Sequence, residues 1–181
     1  ILEAHDRIRP HVLRTPLIPS RHLSRMTGAD VYLKMESEQY TNSFKVRGAT
    51  NKLLSLRSMT DHSDGKRRIR VVTASTGNHA QGVARAMQLT GITGTIFLPE
   101  NPDPSKLAAL EDYDVELQRY GTDPLATEMY AKAQAADSGA VWISPYNDPD
   151  IIAGQGTIGL ELVEQLPAID EVFVTVGGGG L

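Results

Sequence analysis

The chain has 181 residues, a formal net charge of -4, no cysteine and 40% hydrophobic residues. This length and apolar content can form a buried core, which excludes a disordered chain, and the slight acidity argues against general binding of nucleic acid. Without cysteine there is no disulfide, thiolate zinc site or thiol nucleophile, and no apolar run approaches the ~20 residues of a membrane-spanning helix.

The first 60 residues predict two helices and one strand. The first helix spans Leu2 to Val12, and the strand covers 31–35. The second helix has an apolar face at helical spacing, and Lys45 falls in or just before its first turn. The polar segment 57–68 is the best candidate for a linker, and the basic run 66–70 is typical of a solvated loop that leads into a strand.

From residue 69 onward, strands and helices alternate. Runs rich in β-branched residues predict strands over 69–73, 95–98, 115–120, 140–144 and 171–176. Between them lie segments of helical period, of which the clearest has an apolar face made by Ala80, Val83, Ala84 and Met87. Pro104 and Pro124 suit first helical turns. The alternation predicts an α/β fold with a mostly parallel sheet and helices on both faces.

Lys45 is the first candidate for chemistry. A lysine at a helix N-terminus lies at the positive end of the helix dipole, which disfavours the ammonium form by ~0.3–1 kcal/mol. A neutral, partly buried lysine is what Schiff-base chemistry requires. An ordinary surface lysine is the alternative interpretation.

Two further segments are candidates for binding anions. Ser75 to His79 form a turn between a strand and a helix, where backbone N–H groups and small hydroxyls could bind a carboxylate. A simple capped turn is the alternative. The run Gly177 to Gly180 follows the apolar strand predicted over 171–176, where a parallel sheet presents its ligand-binding loops. It lacks the spacing of the dinucleotide fingerprint, and alone it could equally be a flexible linker.

Taken together, these segments resemble a known family. The sequences SFKVRGA (43–49), STGNHAQGVA (75–84), AGQGTIGLE (153–161) and VGGGGL (176–181) are similar to those of fold type II pyridoxal-phosphate enzymes, in particular threonine/serine dehydratases and serine racemases. RTPL (14–17) and VYLKMESEQ (31–39) extend the resemblance over nearly the whole chain. It implies a two-domain α/β enzyme with open, mostly parallel sheets. Residues 1–60 and 147–181 would belong to the large domain and 69–146 to the small one, and the chain would be the N-terminal part, truncated after the phosphate loop.

The resemblance also implies a role for each candidate residue. Lys45 would bind pyridoxal 5'-phosphate as a Schiff base and move the α-proton of the substrate, and Phe44 would pack near the pyridine ring. Asn78 would contact the 3′-oxygen of the cofactor. The substrate carboxylate would lie on the loop Ser75, Thr76, Gly77, Asn78 and His79. The cofactor phosphate would be bound by backbone N–H groups of Gly177, Gly178, Gly179, Gly180 and Leu181. No metal ligand is implied among these residues.

One departure from the pattern bears on the reaction. Serine racemases carry a serine where this chain has Thr76, on the side of the substrate opposite the lysine. Threonine keeps the hydroxyl but adds a methyl group and is stiffer about χ1, which favours elimination over racemisation. Tyr146 also favours elimination, because it resembles the bulky aromatic residue of the dehydratases at this position. The resemblance thus implies a cytoplasmic homo-oligomer that converts L-threonine or L-serine to a 2-oxo acid and ammonia. The alternatives are a serine racemase, a lyase for another β-hydroxy amino acid, and a non-catalytic phosphate- or nucleotide-binding module.

Overall fold

A computed structural model describes residues 1–59 and 69–181, so most of the predicted linker lies outside the described residues. The first part contains α1 (Leu2–Ile8), β1 (Leu17–Pro19), α2 (Arg21–Thr27), β2 (Tyr32–Lys34), a 3₁₀ turn (Glu36–Glu38) and α3 (Lys45–Met59). The second part contains β3 (Arg70–Ala74), α4 (Asn78–Thr90), β4 (Thr93–Leu98), α5 (Pro104–Glu111), β5 (Glu116–Arg119), α6 (Pro124–Ser138), β6 (Val141–Trp142), α7 (Pro149–Gln155) and α8 (Thr157–Gln165).

Four strands form the main sheet in the order β5-β4-β3-β6, and each neighbouring pair is parallel. Successive residues of β3 point to opposite faces: Val71 packs in a core with α3 and α4, whereas Val72 packs with α6. The predicted parallel sheet with helices on both faces is therefore confirmed. The strand order reverses between β3 and β6, and ligands of open α/β sheets bind at the carboxyl ends of the strands at such a point.

Two predicted elements differ from the structure. α1 ends at Ile8 rather than near Val12, because Pro10 has no N–H to continue the helical hydrogen bonds. The strand predicted over 171–176 is wrong, since this segment forms no strand. Phe173 is 91% exposed, and within the described residues no strand pairs with the segment, so its backbone lacks the partner that a β-ladder requires.

Helices α3 and α7 approach each other unusually closely at a pair of glycines. A Cβ atom added to Gly154 would lie 2.6 Å from the Cα of Gly48 and 2.8 Å from the carbonyl oxygen of Arg47. Further along the interface, Lys52 forms ion pairs with Asp148 and Asp150. The glycine pair therefore fixes how near α7 lies to the helix that begins with Lys45.

None of the helices in the described part of the chain is both long and apolar enough to cross a membrane.

We predict that Gly154→Ala destabilises the protein by about 1–3 kcal/mol, because the new methyl group would overlap backbone atoms that cannot move independently. Gly159→Ala in α8 is the matched control, since a Cβ atom there meets open space and alanine favours a helix by up to about 1 kcal/mol over glycine. Urea unfolding of the full-length variants measures both. Equal stability of the two variants would contradict the close helix contact.

Candidate active site

The candidate site lies where the carboxyl ends of β3 and β6 meet the beginning of α3. Lys45 is the first residue of α3, as the sequence predicts, and its Nζ donates a hydrogen bond to the carbonyl oxygen of Pro145 in the loop after β6. Burial lowers the pKa of the Lys45 amine below its ordinary value of 10.5. More of this amine is thus neutral near physiological pH than is usual for a lysine.

The glycine run lies directly beside this lysine. A Cβ atom at Gly180 would lie 2.7 Å from Lys45 Nζ and 3.0 Å from the Pro145 oxygen. One at Gly178 would lie 3.0 Å from the ring of Tyr146, and Gly179 has a φ of 75°, in the region that favours glycine. The structure therefore places Lys45 beside the glycine run, whose backbone can approach this closely only because its residues have no side chains.

The loop after β3 borders a cavity at the same edge of the sheet. The Oγ of Ser75 accepts a hydrogen bond from the N–H of Gly77 at 3.1 Å, and the N–H of Ser75 donates to the Phe97 oxygen at 3.1 Å. The cavity has a volume of about 190 Å³ and is lined by Ala74, Ser75, Thr76, Pro99, Pro124, Thr127, Glu128 and Pro145. Pro145 thus faces both this cavity and Lys45.

His79 is buried beneath the loop and joins the ends of two strands. Its Nε2 lies 3.0 Å from Thr73 Oγ1 and 3.2 Å from the Ile143 oxygen. The Thr73 hydroxyl donates its only proton to the same Ile143 oxygen, so Nε2 carries a proton and donates. Burial, aided by the charge of Lys45, lowers the pKa of His79 to about 4 despite this hydrogen bond. The imidazole is therefore neutral, and its Nε2 is already occupied.

Of the remaining predicted residues, Phe44 lies beside Lys45. The ring of Phe44 has its centroid 5.2 Å from Lys45 Nζ. Asn78 is the first residue of α4 and is exposed, and Leu181 is 46% exposed beyond the glycine run. Gly82, which the sequence analysis did not single out, brings α4 close to α3, because a Cβ atom there would lie 3.1 Å from the Lys45 carbonyl group.

A buried ionic network behind Lys45 was also missed from sequence. Arg47 is fully buried and forms ion pairs with Glu36 at 2.8 Å and Glu161 at 2.6 Å. Lys34 donates to Glu161 and to the Thr15 oxygen. The signal was present, because Lys34, Glu36, Arg47 and Glu161 all belong to segments that carried the family resemblance.

The charges of this network stabilise one another. Burial alone would lower the pKa of Arg47, but hydrogen bonds and charges from Glu36 and Glu161 raise it. Burial would likewise raise the pKa of Glu161, but Arg47 and Lys34 hold it below its ordinary value. Both groups therefore remain ionised inside the protein and tie α3 to α8.

Within residues 1–59 and 69–181, no group of three or more histidine, aspartate or glutamate side chains is arranged to hold a metal ion.

Comparison with known proteins agrees with this geometry. The family model described as pyridoxal-phosphate dependent enzyme matches residues 8–181. The chain belongs to this family. The L-threonine ammonia-lyase of Geobacter sulfurreducens (strain ATCC 51573 / DSM 12127 / PCA) is 44% identical over 183 residues, which cover 100% of this chain and 44% of that protein. The chain therefore spans about half the length of the curated relatives it matches.

Two solved structures show the same fold as this chain. The processed form of threonine deaminase isoform 2 from Solanum lycopersicum superposes with a TM-score of 0.88 at 34% identity, over 99% of this chain and 48% of that one. A pyridoxal 5'-phosphate-dependent aspartate racemase superposes with a TM-score of 0.87 at 36% identity, over 99% of this chain and 54% of that one. The fold is thus that of fold type II enzymes.

We predict that Glu161→Gln destabilises the protein by about 3 kcal/mol, because it leaves the buried Arg47 with one carboxylate instead of two. Glu164→Gln is the control, since its exposed ion pair with Arg14 contributes at most about 1 kcal/mol. Urea unfolding of the full-length proteins compares the two. A loss for Glu161→Gln no larger than that of the control would show that the network does not hold the fold together.

We predict that His79 makes the protein less stable as the pH falls. An unfolded histidine has its ordinary pKa of 6.5, whereas folded His79 titrates at about 4. Between these values the unfolded state binds more protons, so the free energy of unfolding falls as the pH drops below 6.5. The loss between pH 7 and pH 5 is about 2 kcal/mol. His79→Gln can still donate to Ile143 but does not titrate, and its urea midpoint should depend less on pH; an identical pH profile would rule out this role.

Proposed function

We propose that the full-length protein uses pyridoxal phosphate to convert L-threonine or L-serine to a 2-oxo acid and ammonia. The observation that carries this proposal is the convergence of Lys45, the Pro145 carbonyl and the glycine run at one edge of the sheet. The relative named L-threonine ammonia-lyase, 44% identical to this chain, supports threonine as a substrate. Serine is included because it also carries a hydroxyl group on its β-carbon.

The residues at this edge fit the cofactor. Lys45 offers a half-buried amine with a lowered pKa. The glycine run offers backbone N–H groups in a position where a side chain at Gly180 would meet the lysine. In our proposal Gly177 to Leu181 bind the phosphate, Phe44 packs near the pyridine ring and Asn78 contacts the 3′-oxygen.

The chain supplies binding and proton transfer. When bound, the cofactor supplies an electron sink for the electrons of the bond broken at the substrate α-carbon. Lys45 removes the α-proton, which is possible because its buried amine is readily deprotonated. The backbone N–H groups of the loop 75–79 hold the substrate carboxylate, and His79 contributes through the backbone because its ring is neutral and its Nε2 is bonded to Ile143.

Racemisation is the second candidate, because Thr76 keeps a hydroxyl group and lines the cavity that also borders Pro145. This hydroxyl could exchange a proton with the α-carbon on the side opposite Lys45. The similarity to a pyridoxal 5'-phosphate-dependent aspartate racemase, at 36% identity, supports this activity. The extra methyl group of Thr76 and its stiffer χ1 favour elimination.

We also infer the arrangement of the full-length protein. Residues 1–60 and 147–181 belong to the large domain and 69–146 to the small one; the pairing of Arg47 with Glu161 and the sheet formed within 70–142 support this division. The resemblance to the dehydratases supports a homo-oligomer of at least two chains. The lack of cysteine fits a cytoplasmic location.

The test uses the full-length protein with pyridoxal phosphate, L-threonine and L-serine. We expect 2-oxo acid to form, and Lys45→Ala to slow its release by about 10²–10⁴-fold through loss of the positioned proton acceptor. Lys52→Met is the matched control. It removes a lysine two turns further along α3 that is paired with Asp148 and Asp150, and it should keep its turnover.

Two further measurements complete the test. Borohydride reduction followed by peptide mass spectrometry should place the cofactor on Lys45, and a chiral assay should show that oxo-acid release exceeds interconversion of serine enantiomers. Normal turnover in Lys45→Ala would refute the assignment of the lysine. Faster racemisation than oxo-acid release would replace the dehydratase with the racemase.

A further inference from the structure

An N–H group in the first turn of α3 donates its hydrogen bond to a side chain of another helix. The first N–H groups of a helix have no acceptor within the helix, and a polar side chain just before the helix usually supplies one. Phe44 occupies that position and cannot do so, and the Oγ of Ser43 just before it accepts only from the N–H of Lys45, at 3.4 Å. The carbonyl oxygen of Phe44 accepts from the N–H of Arg47 at 3.0 Å, and the N–H of Gly48 instead donates to Gln155 Oε1 at 3.0 Å.

Gln155 reaches this N–H because the two helices are so close. It is the last residue of α7 and is only 4% exposed. A Cβ atom at Gly48 would lie 2.7 Å from Gln155 Nε2, so glycine at this position leaves the room that the amide occupies. The contact therefore depends on the close approach of Gly48 and Gly154.

The orientation of the amide follows from the donor that it meets. The Gly48 N–H can only be met by an acceptor, so Oε1 must face it, and a flipped amide would set two donors against each other. Gln155 Nε2 is then buried without a hydrogen-bond partner, which costs about 1–3 kcal/mol. An apolar side chain would avoid this cost, so what the amide contributes here lies in Oε1.

This hydrogen bond closes a ring of contacts around Lys45. The Lys45 amine bonds to Pro145, and α7 begins shortly after Pro145 and ends at Gln155. Gln155 in turn holds the first turn of α3, which contains Lys45. The other polar contacts between the two helices, from Asn51 to the Asp150 oxygen and from Lys52 to the Asp150 carboxylate, lie further from Lys45.

We propose that Gln155 is a positioning residue for Lys45: its Oε1 caps the first turn of α3 and holds the lysine amine in its half-buried place beside Pro145. The importance of that amine for catalysis rests on the proposed function, whereas the capping itself does not. Without the acceptor, the first turn of α3 would loosen and Lys45 would gain access to water. Its pKa would then rise toward that of an ordinary lysine.

The experiment measures Lys45 itself in the full-length protein freed of cofactor. The rate at which a small amine-reactive reagent modifies Lys45 is followed against pH by peptide mass spectrometry. Gln155→Met has a similar shape but no acceptor, and Gln155→Asn, which is too short to reach Gly48, replaces it if the methionine variant does not fold. Lys52→Met is the control, because it weakens the same helix interface away from Lys45. The buried His79, whose pKa is about 4, stays neutral at the higher pH values where a lysine amine titrates and adds no charge change there.

We expect the Gln155 variant to shift the pH midpoint of Lys45 modification upward and, with cofactor restored, to lower kcat by about tenfold, since small displacements of catalytic groups cost one to two orders of magnitude. The Lys52→Met midpoint should equal that of the wild type. An unchanged midpoint in the Gln155 variant, or the same shift in Lys52→Met, would overturn the proposal. If the wild type formed no oxo acid, the proposed function would fail, but the midpoint would still decide the role of Gln155.

Discussion

The guanidinium group of Arg47 is buried between the carboxylates of Glu36 and Glu161, and this pairing joins the beginning of α3 to the turn after β2 and, 114 residues further along the chain, to α8. A buried arginine is tolerated only when its charge is matched and its N–H groups are bonded. Here Glu161 also accepts a hydrogen bond from Lys34. Because Arg47 lies two residues after Lys45, the network fixes the start of α3 relative to β2 and α8. The beginning of α3, which carries the candidate lysine, therefore cannot move without exposing buried charges to an apolar environment or breaking their ion pairs.

Besides this ionic network, the site depends on glycines that allow close packing. Glycines let three approaches become unusually close: Gly154 to α3, Gly82 to the carbonyl group of Lys45, and Gly180 to the Lys45 amine. The first two bring α7 and α4 close to the beginning of α3, and the third brings the glycine run against the amine itself. The burial that lowers the pKa of the Lys45 amine is thus provided in part by glycine backbone.

The starts of several helices carry a signal in the sequence, although the sequence analysis did not use all of these signals. Asp103-Pro104 and Asp123-Pro124 begin α5 and α6, with the aspartate accepting backbone hydrogen bonds. Asp148-Pro149 begins α7 in the same way, so the signal that identified two helices would have identified a third. α2 was missed although Ser20 caps its start and Gly28, with a φ of 74°, ends it. Its side chains are not buried, so the periodicity of a core face was absent.

The sequence alone determined the local structure of the protein and identified its candidate site residues. Runs of β-branched residues located the strands β3 to β6, and helical periodicity located the buried face of α4, because local propensity and burial act over a few residues. The motifs identified Lys45, the loop 75–79 and the glycine run as one family pattern. Only the tertiary structure decided which groups meet: that Pro145 accepts from Lys45, that Gln155 reaches Gly48, and that His79 bonds beneath the loop. It also decided that 171–176, whose composition predicts a strand, is not one, because a strand depends on a partner elsewhere in the chain and no local pattern can supply it.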